Sequence, residues 1–150
     1  MGKATCFVGV VVLRGGLRGP EVLLVQRAPG ENGENCWAVP GGSIEFEDIT
    51  LEGAASRELE EETGLRALLL DGPVHVDTCT FGQNRYVGVY YAARVWDGVR
   101  TLREPEKHTA LEWCLVATMP QTMPCDCSAI MNALRSYPPK SRTCVEDDCG

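Results

Sequence analysis

Arg57-Glu-Leu-Glu-Glu-Glu-Thr-Gly-Leu65 is the stretch that decides the fold. Read as helix, it puts Glu58, Glu61 and Glu62 at i, i+3 and i+4, on one face and away from Leu59. Glu60 points elsewhere. Like charges at this spacing repel, so an isolated helix is weakened by them. A bare acidic run reads first as a solvated helix face. The alternative is a hard divalent cation among the three carboxylates, since Mg²⁺ takes carboxylate oxygens together with water and phosphate. The surroundings favour the cation. A glycine turn, Pro40-Gly-Gly42, precedes the helix, Arg57 stands at the head of the acidic cluster, and Gly64-Leu65 leads out of it.

Working outward, the spacing predicts a helix over 50–63. Thr50 is its N-cap, Gly64 follows its end, and Leu51, Ala55 and Leu59 form the buried stripe. Gly53 costs that helix about 1 kcal/mol relative to alanine. The apolar run 4–13 and the segment 21–27 read as a strand hairpin around the turn 14–20. A polar loop spans 28–36, and a short extended piece spans 37–42. Strands are expected over 66–80 and 84–97 around a turn at Phe81-Gly-Gln-Asn84, and over 111–117. A closing helix is expected over 126–136, with Ile130, Met131 and Leu134 as its apolar face. From Tyr137 the tail turns proline-rich and then acidic. No internal repeat appears, and the 150 residues suit one domain over 1–150, with 136–150 as a frayed tail.

The net charge of −7 argues against a nucleic-acid polymer as partner, because such binding needs a basic surface. No apolar run approaches the roughly 20 residues of a bilayer span, and the start lacks a signal-peptide pattern, so a cytoplasmic protein without membrane contact is expected. Eight cysteines are present, at 6, 36, 79, 114, 125, 127, 144 and 149. In that compartment they are expected as reduced thiols. Cys125, Cys127, Cys144 and Cys149 offer a zinc site only in a non-standard spacing.

Residues 57–65 resemble the second half of the Nudix box (G-x5-E-x7-R-E-U-x-E-E-x-G-U, U aliphatic), matching it at Arg57, Glu58, Leu59, Glu61, Glu62, Gly64 and Leu65. VLLVQRA (22–28) and WAVPGG (37–42) are similar to the usual lead-in of that family. The resemblance implies an α/β fold, a three-layer α/β/α sandwich around a mixed sheet. It implies an Mg²⁺-dependent hydrolase, with Mn²⁺ as a substitute, that cleaves a pyrophosphate bond in a small nucleotide and releases a nucleoside monophosphate. Metal ligation falls to Glu58, Glu61 and Glu62, with Arg57 a partner to carboxylates. A catalytically weak nucleotide-sensing module of the same fold is the second reading, and a zinc-stabilised interaction domain the third. A homodimer is left open.

The first half of the box departs from the pattern. Eight residues before Arg57 stands Ile49, and six after Gly42 stands Asp48. One extra residue is therefore expected to bulge between Gly42 and Thr50, with Asp48 or Glu47 reaching Arg57 and Ile49 turning inward beside Leu51. The general base is either Glu58 or Glu106. The latter lies in Glu104-Pro-Glu106-Lys107, which resembles a segment of nucleoside-triphosphate-cleaving members. His75 and His108 carry little weight. Motifs associated with NADH, coenzyme A and ADP-ribose are absent or partial, which favours a nucleoside triphosphate. Arg27, Trp37, Gly41, Gly42 and Phe81 are the candidate substrate contacts. Core packing or a salt bridge is at least as good a reading for Arg27, Trp37 and Phe81, as it is for Tyr86.

Overall fold

The computed structural model describes residues 4–81 and 83–140. In chain order the elements are β1 (Ala4–Gly16), β2 (Gly19–Arg27), β3 (Trp37–Ala38), β4 (Gly41–Ser43), α1 (Leu51–Thr63), β5 (Arg66–Phe81), β6 (Asn84–Asp97), β7 (His108–Leu115), a 3-10 turn (Val116–Thr118) and α2 (Pro124–Ser136). The sheet is mixed. β1 runs parallel to β6 but antiparallel to β2 and β4. β5 pairs antiparallel with β6, and β3 and β7 pair antiparallel with β2.

β1 carries a continuous apolar run because both of its faces are covered. Val8, Val10 and Val12 pack with Ala54, Ala55 and Leu59 of α1. Val11 and Leu13 pack with Ala129, Ile130 and Ala133 of α2. Alternation along one strand thus separates two cores, giving the three-layer sandwich expected from the sequence.

The limits of α1 follow from its caps. The Thr50 hydroxyl accepts from the Gly53 amide at 2.9 Å. Gly64 takes the left-handed conformation (φ 77°), where a Cβ would lie 2.8 Å from the Val99 carbonyl. Gly53 is exposed and its amide receives the cap.

Four expectations need correction. β7 begins at His108 rather than at 111 and gives way to the 3-10 turn after Leu115. Its first residues are polar, which hid them. α2 begins at Pro124, a residue that suits a first helical turn because its missing N–H has no partner to lose there. Met131 is 41% exposed, and the buried face runs through Cys125, Ala129, Ile130 and Ala133. Ile49 is 97% exposed instead of packing beside Leu51. Asp48 turns in toward Arg57, and its neighbour projects outward.

The cysteines also differ from expectation. A disulfide joins Cys79 of β5 to Cys125 of α2, while Cys6, Cys36, Cys114 and Cys127 are free thiols. The fold brings together residues 46 apart in sequence, a proximity that spacing alone does not reveal. It also removes Cys125 from any zinc set; Cys144 and Cys149 lie outside the described residues. Closing a loop of that length is expected to stabilise the fold by about 2–4 kcal/mol. Urea unfolding of oxidised and reduced protein should differ by that amount, and coincident curves would remove the bond from the account. Among the described residues, no helix is long and apolar enough to cross a membrane.

Candidate active site

Helical phase decides which glutamates of α1 turn inward. Glu58 and Glu62 are 8% and 5% exposed, one turn apart on the face that meets β4. Glu61 lies at the rim, and Glu60 faces solvent. β4 fits between β1 and α1 because it is built from glycines. A Cβ at Gly41 would sit 2.2 Å from the Val8 carbonyl oxygen, and one at Gly42 would sit 2.6 Å from the Glu58 carboxylate. The Gly41 amide donates to Glu62 Oε1 at 3.2 Å.

Arg57 organises the rim. Its Nε and Nη2 donate to the two oxygens of Asp48 at 3.0 and 2.7 Å. Nη1 donates to Glu58 at 3.1 Å and to Glu61 at 3.2 Å, and lies 3.4 Å from Glu45. Of the two expected partners, Asp48 makes this contact, held by the Glu45 amide at 2.7 Å, while Glu47 is exposed. Asp48→Ala is therefore expected to lower turnover and, by a small margin because solvent partly screens the pair, stability. Glu47→Ala should change neither. Equal responses in a melting and turnover comparison would contradict the pairing.

The charges conflict inside this frame. Burial pushes the Glu62 carboxyl well above its usual range; Glu58 and Glu104 push it further, while the Gly41 amide and Lys107 oppose. Burial also raises Glu58, against the pull of Arg57 and with help from Glu61 and Glu104. Asp48 first of all holds the Arg57 guanidinium above its usual range. Of the two glutamates in the Glu104-Pro-Glu106-Lys107 segment, Glu104 is thus the one whose charge bears on Glu58 and Glu62. The segment is a tight turn, with the Glu104 carbonyl accepting from the amides of Lys107 and His108. Glu106 is exposed, and its charge bears on His108 instead.

His108, given little weight from the sequence, is 2% exposed with Nε2 3.8 Å from Glu62 Oε1. Burial first, then Arg27 and Lys107, lower its pKa to about 4, so it is neutral at pH 7. His75 faces Asn132 of α2, ring nitrogen to amide nitrogen, at 3.0 Å.

Among the described residues, no three His, Cys, Asp or Glu side chains are already closed around one point. The guanidinium of Arg57 lies between Glu58 and Glu61. The donor set nevertheless fits a hard divalent ion: two buried carboxylates that repel each other, a third at the rim, and oxygen donors throughout.

Beside the glutamates opens a cavity of about 230 Å³, bounded in part by Phe7, Arg27, Gly41, Gly42, Tyr86 and Asp126. Arg27 Nε donates to the Asn32 carbonyl, which holds the guanidinium end of the side chain. Phe7 and Tyr86 meet edge to face at 6.2 Å. Asp126 lines the cavity but is itself buried, accepting from Tyr90 Oη at 2.6 Å and from the Val39 amide at 3.0 Å. Burial raises its pKa to about 6 against both hydrogen bonds. Trp37 packs against the α2-side core instead, and the side chain of Phe81 lies outside the described residues. Sequence reading gave no site role to Phe7, Asn32, Asp126 or Glu104. Asp126 looked like an ordinary helix start, and Phe7 like core.

The chain matches the family model described as NUDIX domain over residues 7–126. The MutT NUDIX hydrolase of Burkholderia pseudomallei is 25% identical, with a TM-score of 0.77 over 86% of this chain and 97% of that one. The ORF135 protein of E. coli is 25% identical, with a TM-score of 0.70 over 92% and 95%. The NUDIX domain of Shewanella oneidensis NrtR, solved with ADP ribose, is 22% identical with a TM-score of 0.75 over 89% and 88%, a likeness of fold. A curated protein of Myxococcus xanthus named octanoyltransferase is 48% identical over 66 residues, 43% of this chain. The chain spans 17% of that protein's length, too little to bring octanoyl transfer with it.

Proposed function

The chain belongs to the Nudix family, and from that premise we propose that it hydrolyses the pyrophosphate linkage of a nucleoside triphosphate, releasing a nucleoside monophosphate. The observation that carries this reading is the buried pair Glu58 and Glu62 under the Gly41-Gly42 turn, opening beside a cavity with aromatic edges. Glu58, Glu61 and Glu62 would hold Mg²⁺, or Mn²⁺ in its place, with Glu104 beside them. When bound, the ion draws charge off phosphate oxygens and lowers the pKa of water.

The chain's own residues do the rest. Asp48 braces Arg57, and Arg57 fixes Glu58 and Glu61 in orientation. The Gly41 amide orients Glu62. Glu104 and Glu58 are the candidates to take the proton from the attacking water; Glu104 takes the place that the sequence gave to Glu106. Arg27 supplies positive charge at the cavity for phosphate, and Phe7 and Tyr86 supply surfaces for a base. An irregular loop that failed to brace Arg57 would favour the sensor reading, but this loop still delivers Asp48 to Arg57.

A panel of ribo- and deoxynucleoside triphosphates, ADP-ribose and dinucleotides, each with Mg²⁺, tests the proposal by phosphorus NMR of the products. Pyrophosphate and a nucleoside monophosphate from a triphosphate are expected. Hydrolysis of none of them, with a nucleotide nonetheless bound, would replace the enzyme by the sensor.

A further inference from the structure

The Cys79–Cys125 disulfide stands beside the cavity just assigned to the nucleotide. Cys125 is buried in the first turn of α2, between two cavity-lining residues, Met123 and Asp126. Cys79 on β5 is only half-buried. The two cysteines also help to wall an adjoining space of about 300 Å³, which shares Phe7, Met123 and Asp126 with the first cavity. Besides the disulfide, this end of α2 is held by exchanges between Trp37 and residues 121 and 123 at 3.0 and 3.1 Å, and by the two bonds to Asp126. Met123, the N-cap residue, makes no side-chain capping bond. The covalent link adds to these bonds, and to the Asn132–His75 contact further along the helix, a direct tie between the first turn of α2 and β5.

We propose that Cys79 and Cys125 form a reversible thiol–disulfide exchange site that sets the affinity of the neighbouring cavity for substrate. The inference rests on the reading of that cavity as the nucleotide pocket. The reductant is a dithiol of the thioredoxin or dithiothreitol class. One of its thiolates attacks Sγ of Cys79, the more accessible sulfur of the pair. The Cys79–Cys125 bond breaks as a mixed disulfide forms, and Cys125 departs as a thiolate at a helix N-terminus, where negative charge is favoured. The second thiolate of the reductant then attacks the mixed disulfide, closing the reductant's own disulfide and freeing the Cys79 thiolate. Two electrons pass to the protein, and a more oxidising disulfide such as glutathione disulfide takes them back, releasing two molecules of glutathione as the Cys79–Cys125 bond re-forms. Once reduced, the first turn of α2 is released from β5, the cavity wall loosens, and the glutamates of α1 are untouched.

The test compares protein oxidised with glutathione disulfide with protein reduced by dithiothreitol and desalted, each assayed on the nucleotide it hydrolyses. Reduction should expose two further alkylatable thiols, at Cys79 and Cys125. It should raise KM about five-fold while kcat stays within about two-fold, a signature of lost uniform binding of substrate and transition state. Reoxidation should restore KM. Cys79→Ser should show the reduced-state KM and no response to either reagent, while Cys127→Ser should respond as the parent does. Equal KM in both pools, or a Cys79→Ser variant that still responds, overturns the proposal. If neither pool hydrolyses any nucleotide, the proposed function fails, and amide hydrogen exchange over residues 123–128 decides the switch. Faster exchange on reduction supports it, and equal exchange overturns it.

Discussion

Glu62→Gln is expected to leave the fold intact and to lower turnover at saturating Mg²⁺ by about a thousand-fold, as losing one directed charge at a reacting phosphate typically does. The substitution keeps the shape of the side chain and its acceptor for the Gly41 amide, and removes only the charge. That charge is costly in the metal-free protein, because burial and the neighbouring Glu58 and Glu104 raise the carboxyl's pKa. The sign of the pH dependence follows. A carboxyl whose folded pKa lies above its unfolded value binds more protons when folded. Its contribution to stability is complete below the unfolded value of about 4.3 and is lost as pH rises through the folded value. Metal-free parent protein should therefore lose stability over that rise, and Glu62→Gln should lose less, melting at or above the parent temperature near pH 7 in a chelator. Turnover within about three-fold of the parent would remove Glu62 from the ligand set.

Gly41→Ala should damage both stability and activity. The added Cβ would lie 2.2 Å from the Val8 carbonyl oxygen and 2.9 Å from Gly9 Cα. Both are backbone atoms in the middle of β1, so no side chain can swing away. Overpacking against a rigid neighbour costs about 3 kcal/mol. Any shift of β4 that relieves it also withdraws the amide that orients Glu62, so turnover should fall by about a hundred-fold as well. Gly53→Ala is the matched control. There the Cβ meets only the Thr50 hydroxyl, at 3.1 Å, and the helix gains about 0.5–1 kcal/mol of propensity against that tight contact. Chemical denaturation of the two variants should therefore differ by several kcal/mol. Similar midpoints would mean that β4 is not wedged between β1 and α1.

What was legible in the sequence was local. Thr50 and Gly64 mark α1 because capping needs only neighbouring residues, and the helical period alone puts Glu58 and Glu62 on one face. The apolar run of β1 reads as a strand buried on both sides. The remaining features depend on contacts between distant segments. The cavity draws Phe7 from β1, Tyr86 from β6 and Asp126 from α2, and nothing near any one of them signals the other two. Whether Glu104 or Glu106 approaches α1 depends on the direction of a tight turn, which the residue types leave open. Whether Asp48 or Glu47 reaches Arg57 depends on how the longer loop closes, and the same closure sends Ile49 outward. The Cys79–Cys125 bond is likewise a product of α2 lying across β5.

The most direct test of the account is electron paramagnetic resonance of Mn²⁺ titrated into the protein at pH 7.5 without nucleotide. The account predicts that the six-line signal of the free ion is suppressed by the parent protein, and that Mg²⁺ competes the ion off. Glu58→Gln, Glu61→Gln and Glu62→Gln should each weaken the suppression, whereas Glu47→Ala should leave it unchanged. A parent protein that leaves the free-ion signal untouched, or a Glu62→Gln variant that suppresses it as well as the parent does, would contradict the claim that the glutamates of α1 form the metal site.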